Sequence, residues 1–140
     1  MSQATTLEGL FGLAHAVKRE MHSQIEQLGL AITPMHMRVL KVIAKKQQCT
    51  ANDIVQFLHR DKAQVTRLLK LLLDEALLEK APNPADKRSA FLHVTTKGQQ
   101  LVAQIAEVER ALIGKMTKDL CDSELEQYQT IANKMRQNLS

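Results

Sequence analysis

The sequence predicts a mainly α-helical chain with a small β-wing, and three observations support this fold class. Apolar residues recur every three or four positions over most of the 140 residues, which is the period of a helix with one buried face. The segment from Phe91 to Thr95 instead alternates with period two, as a half-buried strand does. Only five glycines and three prolines are present, as expected of helices, and the length fits one domain.

The first predicted helix runs from about Thr6 to Leu28 and ends at Gly29. Its length exceeds what one small domain can cover, so part of it is expected to pack on another subunit. An intrachain three-helix bundle, formed with the last two helices of a monomer, is the alternative. The apolar stripe of this helix comprises Leu7, Leu10, Phe11, Ala14, Val17, Met21, Ile25 and Leu28.

The second predicted helix begins at Thr33-Pro34, which supplies an N-cap followed by a proline in the first turn. It extends to about Lys46. Its spacing predicts that Val39, Leu40 and Ile43 are buried.

Two further helices are predicted close together in the middle of the chain. Thr50 can cap a short helix from Ala51 to Leu58, and Asp61 can cap a second from Asp61 to Ala76. Only His59-Arg60 separates them, which is the spacing of a helix-turn-helix, although the turn lacks the glycine often found there.

The outward face of the second of these helices carries side chains suited to a DNA major groove. Arginine suits guanine, glutamine suits adenine, and the methyl groups of alanine or threonine suit thymine. An ordinary solvated helix face is the alternative interpretation. The predicted DNA contacts on this helix are Lys62, Ala63, Gln64, Thr66, Arg67 and Lys70, and Thr50 at the cap of the preceding helix is predicted to join them.

Two short strands, Leu77 to Ala81 and Phe91 to Thr95, flank the polar segment PNPADKRSA. Two strands and a basic loop after a helix-turn-helix make a wing. Arg88 is predicted to enter the narrow, negatively charged minor groove, with Lys87 on phosphate. Asp86 is expected to hold Arg88 through a carboxylate–guanidinium pair.

The last two predicted helices carry apolar stripes that a winged core cannot bury. The first opens with Thr96 as its cap, and the second with Asp122 or Ser123. We expect these helices and the first one to form a homodimer, with two recognition helices ~34 Å apart reading an inverted repeat. The stripes are Leu101, Ile105, Val108, Leu112, Met116 and Leu120, then Leu125, Tyr128, Ala132, Met135 and Leu139.

Several of these segments together resemble the MarR-type winged helix-turn-helix transcriptional regulators. The resemblance covers the whole chain, and its most specific part is Asp86-x-Arg88 followed by Leu92-x-Val94-Thr95-x-x-Gly98. One departure is Asn83, where many members carry aspartate, and its side chain can still initiate the turn. The other matching segments are ITPMHMRVL from Ile32, TANDI from Thr50 and DKAQVTRLLKLLLDEALLEK from Asp61.

The resemblance implies a homodimeric regulator of double-stranded DNA, more often a repressor, released by a small anionic or phenolic effector. Residues 33–98 would form the DNA-binding core, and residues 1–30 and 99–140 the dimerisation helices. The effector would sit between those helices and the winged core, and would act by favouring one spacing of the recognition helices.

The charge distribution agrees with this division. From His36 to Gly98 there are 12 Lys and Arg against 6 Asp and Glu, whereas the rest of the chain has 7 against 9. Phosphate neutralisation requires such a basic excess on the DNA-binding half. A winged helix used only for protein contact remains an alternative, although such a module more often presents apolar groups.

Four polar residues are candidates for the effector site. His15 and His22 are seven residues apart on one helix face with Arg19 between them, and His36 stands near the start of the second helix. Ordinary surface or interface histidines are the alternative. No metal-ligand spacing, phosphate loop or nucleophile motif is present, so neither an enzyme nor a cofactor or metal site is predicted.

Cys49 and Cys121 are far apart and show no CxxC spacing, which favours free thiols in a reducing compartment. A thiol-based redox sensor is a further alternative. No apolar run is long enough to cross a membrane, and the N-terminus MSQATT lacks a basic region before an apolar core. A soluble, cytoplasmic protein is expected.

Overall fold

The computed structural model describes residues 3–29 and 31–140, and their architecture is mainly α-helical with one small sheet. The two terminal regions are helical and enclose a mixed central region. In chain order, the elements are α1 (Gln3–Glu26), α2 (Pro34–Lys45), β1 (Cys49–Thr50), α3 (Ala51–Leu58), α4 (Lys62–Asp74), β2 (Leu78–Pro82), β3 (Ala90–Val94), α5 (Thr96–Met116) and α6 (Asp122–Leu139).

The sheet has three antiparallel strands in the order β1-β3-β2. The predicted hairpin is present, with Leu78 opposite Val94 and Pro82 opposite Ala90. Strand β1 pairs Cys49 with Leu92 and was not predicted. Two residues are too few to show an alternating pattern, so β1 can be recognised only through its partner strand.

The hydrophobic core lies inside the central region. The helix α2 buries Val39, Leu40 and Ile43, as its spacing predicts. Side chains from the end of α1, from α3 and α4, from the sheet and from the first half of α5 contribute to the same cluster, which includes Ile25, Ile54, Leu58, Val65, Leu69, Leu72, Leu77, Leu78, Leu92, Leu101 and Ile105. Burying each large apolar side chain stabilises the fold by about 1.5–3 kcal/mol.

The helix-turn-helix has the predicted boundaries at its first helix. Thr50 caps α3, since its Oγ1 accepts from the Asp53 N–H at 3.2 Å while Asp53 Oδ2 accepts from the Thr50 N–H at 2.9 Å. At the turn, His59 takes the left-handed conformation, with φ 53°. This explains how the turn forms without glycine.

Several predicted helix ends are shifted. The helix α1 spans Gln3–Glu26 rather than about Thr6 to Leu28. The recognition helix ends at Asp74 rather than Ala76, whose φ of 59° breaks the helix. The cap of α5 is Thr95 rather than Thr96, because Thr95 Oγ1 accepts from the Gly98 N–H at 3.0 Å. For α6 the N-cap is Cys121, so neither Asp122 nor Ser123 fills that position.

The terminal helices are exposed over much of their length. The helix α5 packs on α1 and α2, but α6 contains no buried residue. Large exposed apolar side chains on these helices are Leu7, Leu10, Phe11, Leu13, Ile113, Met116, Tyr128, Ile131, Met135 and Leu139, and Leu120 is exposed between α5 and α6. Among the described helices, none is both long and apolar enough to span a bilayer.

Candidate nucleic-acid interface

The helix α4 presents its polar face to solvent, as an element that enters a groove must. Asp61 begins the helix, its Oδ1 accepting from the Gln64 N–H at 2.8 Å, and Val65, Leu69 and Leu72 anchor the opposite face in the core. On the outward face Gln64 is half-buried, and the exposed side chains are Lys62, Ala63, Thr66, Arg67 and Lys70.

Two polar side chains on this face are already engaged within the helix. The Thr66 hydroxyl donates to the Lys62 carbonyl at 2.8 Å, which occupies the hydroxyl proton. Lys70 Nζ lies 3.0 Å from Asp74 Oδ2, one turn away. No hydrogen bond or ion pair within residues 3–29 and 31–140 holds the side chains of Lys62 or Arg67, which leaves both cations available to a partner.

The wing loop is built from side-chain-capped turns. Asn83 Oδ1 accepts from the Ala85 N–H at 3.0 Å, which confirms that Asn83 initiates the turn without aspartate. Asp86 Oδ1 accepts from the Arg88 backbone N–H at 3.0 Å. The expected ion pair between the Asp86 carboxylate and the Arg88 guanidinium does not form, because the carboxylate is turned toward the backbone. Lys87 and Arg88 are exposed at the tip.

Thr50 has a structural role in addition to its predicted DNA contact. Its side chain is half-buried and caps α3, so its oxygen is already an acceptor for the Asp53 N–H. The Thr50 backbone N–H bonds to Asp53, and Lys46 Nζ lies 3.3 Å from the same carboxylate. The hydrogen bond from the Thr50 N–H, with a smaller contribution from Lys46, lowers the pKa of the Asp53 carboxyl. This carboxylate therefore stays charged.

The four residues predicted for an effector pocket are divided between two places. His15, Arg19 and His22 are exposed on α1. His36 belongs to the cap of α2, where its Nδ1 accepts from the Thr33 N–H at 3.0 Å. Among the described residues, no group of three or more histidine, cysteine, aspartate or glutamate side chains could hold a metal ion.

A cavity of about 620 Å³ lies instead where α1, α2, α3 and α5 meet. Most of its wall is apolar, with cations at one side. Lys41 Nζ and Glu109 Oε1 form an ion pair of 2.5 Å across it, from α2 to α5. Its lining includes Met21, Met37, Arg38, Lys41, Phe57 and Glu109. Sequence reasoning did not find this cavity, because its walls come from four separated helices and follow no motif.

The two cysteines differ in accessibility. Cys49 is fully buried in β1, and burial, with a smaller contribution from the Asp53 carboxylate, raises the pKa of its thiol. A raised pKa disfavours the reactive thiolate. Cys121 is exposed at the start of α6.

The central segment of the chain is similar to that of known transcriptional regulators. The profile of the MarR family matches residues 32–89, the segment from α2 to the wing. This segment is 58 of the 140 residues, and it is similar to the MarR family. The HTH-type transcriptional regulator BilQ of Clostridioides difficile is 32% identical over 82 residues, which cover 59% of this chain and 55% of that regulator, about half its length. The multiple antibiotic resistance protein MarR of Escherichia coli is 29% identical over 107 residues, 76% of this chain and 74% of that protein.

The fold of the chain also matches solved structures along nearly its whole length. A mutant MarR from E. coli complexed with operator DNA superposes with a TM-score of 0.76 at 26% identity, covering 96% of this chain and 99% of that one. The S. aureus MepR–DNA complex gives a TM-score of 0.81 at 22% identity, covering 99% and 98%. The predicted fold class, a winged helix-turn-helix core with additional terminal helices, is confirmed.

Proposed function

We propose that this chain is a cytoplasmic MarR-type transcriptional repressor that binds an inverted-repeat operator as a homodimer. The observation that carries the proposal is the exposed polar face of α4, whose opposite face is fixed in the core. A helix anchored in this way can enter a major groove without unfolding anything behind it. The similarity to the MarR family, and the operator complex of the similar E. coli protein, support the same function.

In this proposal, α4 and the wing loop make different contacts with DNA. Arg67 reads a base edge, because its guanidinium is unengaged and can bond guanine in two places. Lys62 and Lys87 neutralise phosphates. Arg88, exposed at the wing tip, enters the minor groove, and the bond from its N–H to Asp86 stabilises the loop that presents it.

The remaining predicted contacts have smaller expected roles. Ala63 and the Thr66 methyl offer apolar contact with thymine, and Gln64 can bond adenine from its half-buried position. Lys70 would first have to leave Asp74.

The terminal helices support the homodimer. Many large apolar side chains of α1, α5 and α6 stay exposed within the chain, and α6 has no buried residue. Contiguous apolar stripes of this kind mark subunit interfaces. We therefore assign residues 1–30 and 99–140 to dimerisation and residues 33–98 to DNA binding.

Selection of duplexes from a random pool tests the proposal directly. We expect the enriched sequences to be inverted repeats with half-sites centred about one helical turn apart. Enrichment of a single half-site would contradict the dimer, and absence of binding to any duplex at low salt would indicate a protein-contact module instead.

Release by a small effector forms the second part of the proposal. The cavity between α1, α2, α3 and α5 combines an apolar wall with Arg38 and Lys41, which suits an aromatic compound with one negative charge. Such an anion would compete with Glu109 for Lys41 and so disturb the link between α2 and α5. By contrast, His15, Arg19 and His22 are exposed on α1 and His36 is occupied in a cap, which favours the cavity over these four residues.

Benzoate and its hydroxylated derivatives are suitable probes for this cavity. We expect them to weaken operator binding by the wild type and to act less on Lys41→Met, measured by fluorescence anisotropy. Lys118→Met is the control, because it removes the same charge from an exposed site outside the cavity. Equal sensitivity of all three proteins would contradict binding at Lys41.

A further inference from the structure

The end of α4 is bonded directly to the beginning of α5. Three consecutive carbonyl groups after α4 point toward the first turn of α5. The Glu75 carbonyl accepts from Lys97 Nζ at 2.8 Å, and the Ala76 carbonyl accepts from Thr95 Oγ1 at 2.6 Å. The Leu77 carbonyl accepts from the Thr95 N–H at 3.1 Å. We call these five residues the clasp.

The clasp holds the backbone in a conformation that would otherwise be unfavourable. Ala76 has φ 59°, a left-handed conformation that is costly for alanine and persists only where its surroundings impose it. Gly98 permits the close approach, because a Cβ there would lie 2.3 Å from the Leu77 carbonyl oxygen. The recognition helix is therefore fixed at its C-terminal end by specific contacts.

The rest of α4 has different neighbours. Its body packs on α2 and α3, whereas α5 packs on α1 and α2. The second half of α5 carries exposed apolar residues such as Ile113 and Met116, which belong to the proposed dimer interface. The clasp thus provides a direct hydrogen-bonded path from the dimerisation helix to the recognition helix.

We propose that Lys97 is a positioning residue that sets the distance between the two recognition helices of the dimer. The proposal depends on the proposed function, since it requires a dimer that binds DNA. Lys97 is the informative member of the clasp because it is exposed and its side chain forms, among the described residues, a single hydrogen bond, which is to the Glu75 carbonyl. Thr95 and Gly98 also form the cap and the buried first turn of α5, so their replacement would disturb folding as well.

Operators with altered spacing between half-sites provide the test. The wild type should bind the selected inverted repeat more tightly than versions lengthened or shortened by one or two base pairs. In Lys97→Met the bond to Glu75 is lost while the aliphatic stem is retained. We expect the spacing preference of this variant to fall by about two- to thirtyfold, the range for residues outside both binding surfaces. Its affinity for an isolated half-site should be unchanged.

Two controls separate positioning from charge. Lys97→Arg keeps a cationic donor and should retain most of the spacing preference. Lys80→Met removes an exposed charge that is not among the assigned DNA contacts and should behave as wild type. The proposal is overturned if Lys97→Met keeps the wild-type preference, or if its affinity falls equally for all operators and for the half-site, which would indicate a phosphate contact. Absence of duplex binding by the wild type would instead refute the proposed function.

Discussion

The helices α4 and α6 have the same kind of apolar periodicity but different surroundings. In α4 the stripe is covered, with Val65, Leu69 and Leu72 buried in the core of the chain. In α6 the stripe is open, and Tyr128 and Ile131 are more than half exposed. Since exposed apolar surface is unfavourable in water, the two helices differ in whether the covering partner belongs to the same chain.

This difference shows what periodicity can establish. A repeat of three and four residues indicates that one face of a helix is buried, whatever buries it. The winged core meets this requirement within the chain, whereas α6 and much of α1 and α5 do not. The stability of the two regions should therefore respond differently to protein concentration.

The largest effect should come from the covered stripe. Replacing Leu72 by alanine leaves a cavity in the core and should lower the free energy of unfolding by about 2–5 kcal/mol. Chemical denaturation measures the loss. Because the cavity lies within one chain, we expect the same loss at low and high protein concentration. A loss that disappeared on concentrating the protein would contradict the division between the regions.

Substitutions in the exposed apolar stripe of α6 should instead affect dimerisation. Ile131→Asp places a charge in the proposed interface and should weaken dimerisation by about 100-fold or more, since an unpaired buried charge is strongly unfavourable. Analytical ultracentrifugation measures the dissociation constant. Asn133→Asp adds the same charge on the other side of α6 and should leave the dimer intact. Equal behaviour of both variants would refute an interface at Ile131.

Replacing the exposed cations of the winged core, Arg67 and Arg88, should affect DNA binding alone. Arg67→Ala should cost about 1–3 kcal/mol and relax discrimination at one base position, because it removes a base contact. Arg88→Ala should weaken binding more evenly across sequences. Both variants should sediment as wild-type dimers. Binding of variant operators measures the two effects, and an equal, small effect of both substitutions would contradict the assigned roles.

The sequence predicted the core elements well, because local signals specify them. The segment from Thr50 to Leu58 contains a capping residue, a carboxylate three residues later and an apolar stripe, and α3 has the predicted bounds. The end of α4 was misplaced because Leu77 and Thr95 determine it jointly from positions 18 residues apart. A contact of that kind leaves no local pattern.

The candidate site was predictable to a similar degree. Exposure of the α4 face and the wing tip follows from the burial of the opposite faces, which the spacing shows. The orientation of Asp86 was not predictable, because a backbone N–H and a guanidinium compete for the same carboxylate. The cavity at Lys41 depends on how four helices pack, which the residues of each helix alone do not determine.

The smallest predicted effect is on the pH dependence of stability. It concerns two helix caps, one at α2 in the winged core and one at α6. At α2, His36 Nδ1 accepts from the Thr33 N–H, and at α6, Glu124 Oε1 accepts from the Cys121 N–H at 2.9 Å. Burial lowers the pKa of His36 from its ordinary 6.5, and the Cys121 N–H lowers the pKa of Glu124 from 4.5. As the pH falls through 6.5, the unfolded chain binds the proton first, so the contribution of His36 to stability is lost. The contribution of Glu124 persists above pH 4.5 and is lost only below it.

Between pH 7 and 5, therefore, only the cap at α2 should weaken. His36→Gln keeps an acceptor at the same position of the capping box but cannot titrate. The wild type should lose on the order of 0.5 kcal/mol more stability than this variant over that range, the low end for a helix cap because the site is partly exposed. Urea denaturation at each pH measures the difference. Parallel profiles of unfolding free energy against pH would show that His36 stays neutral or that its bond to Thr33 contributes nothing. Either result would contradict a pH-dependent cap at α2.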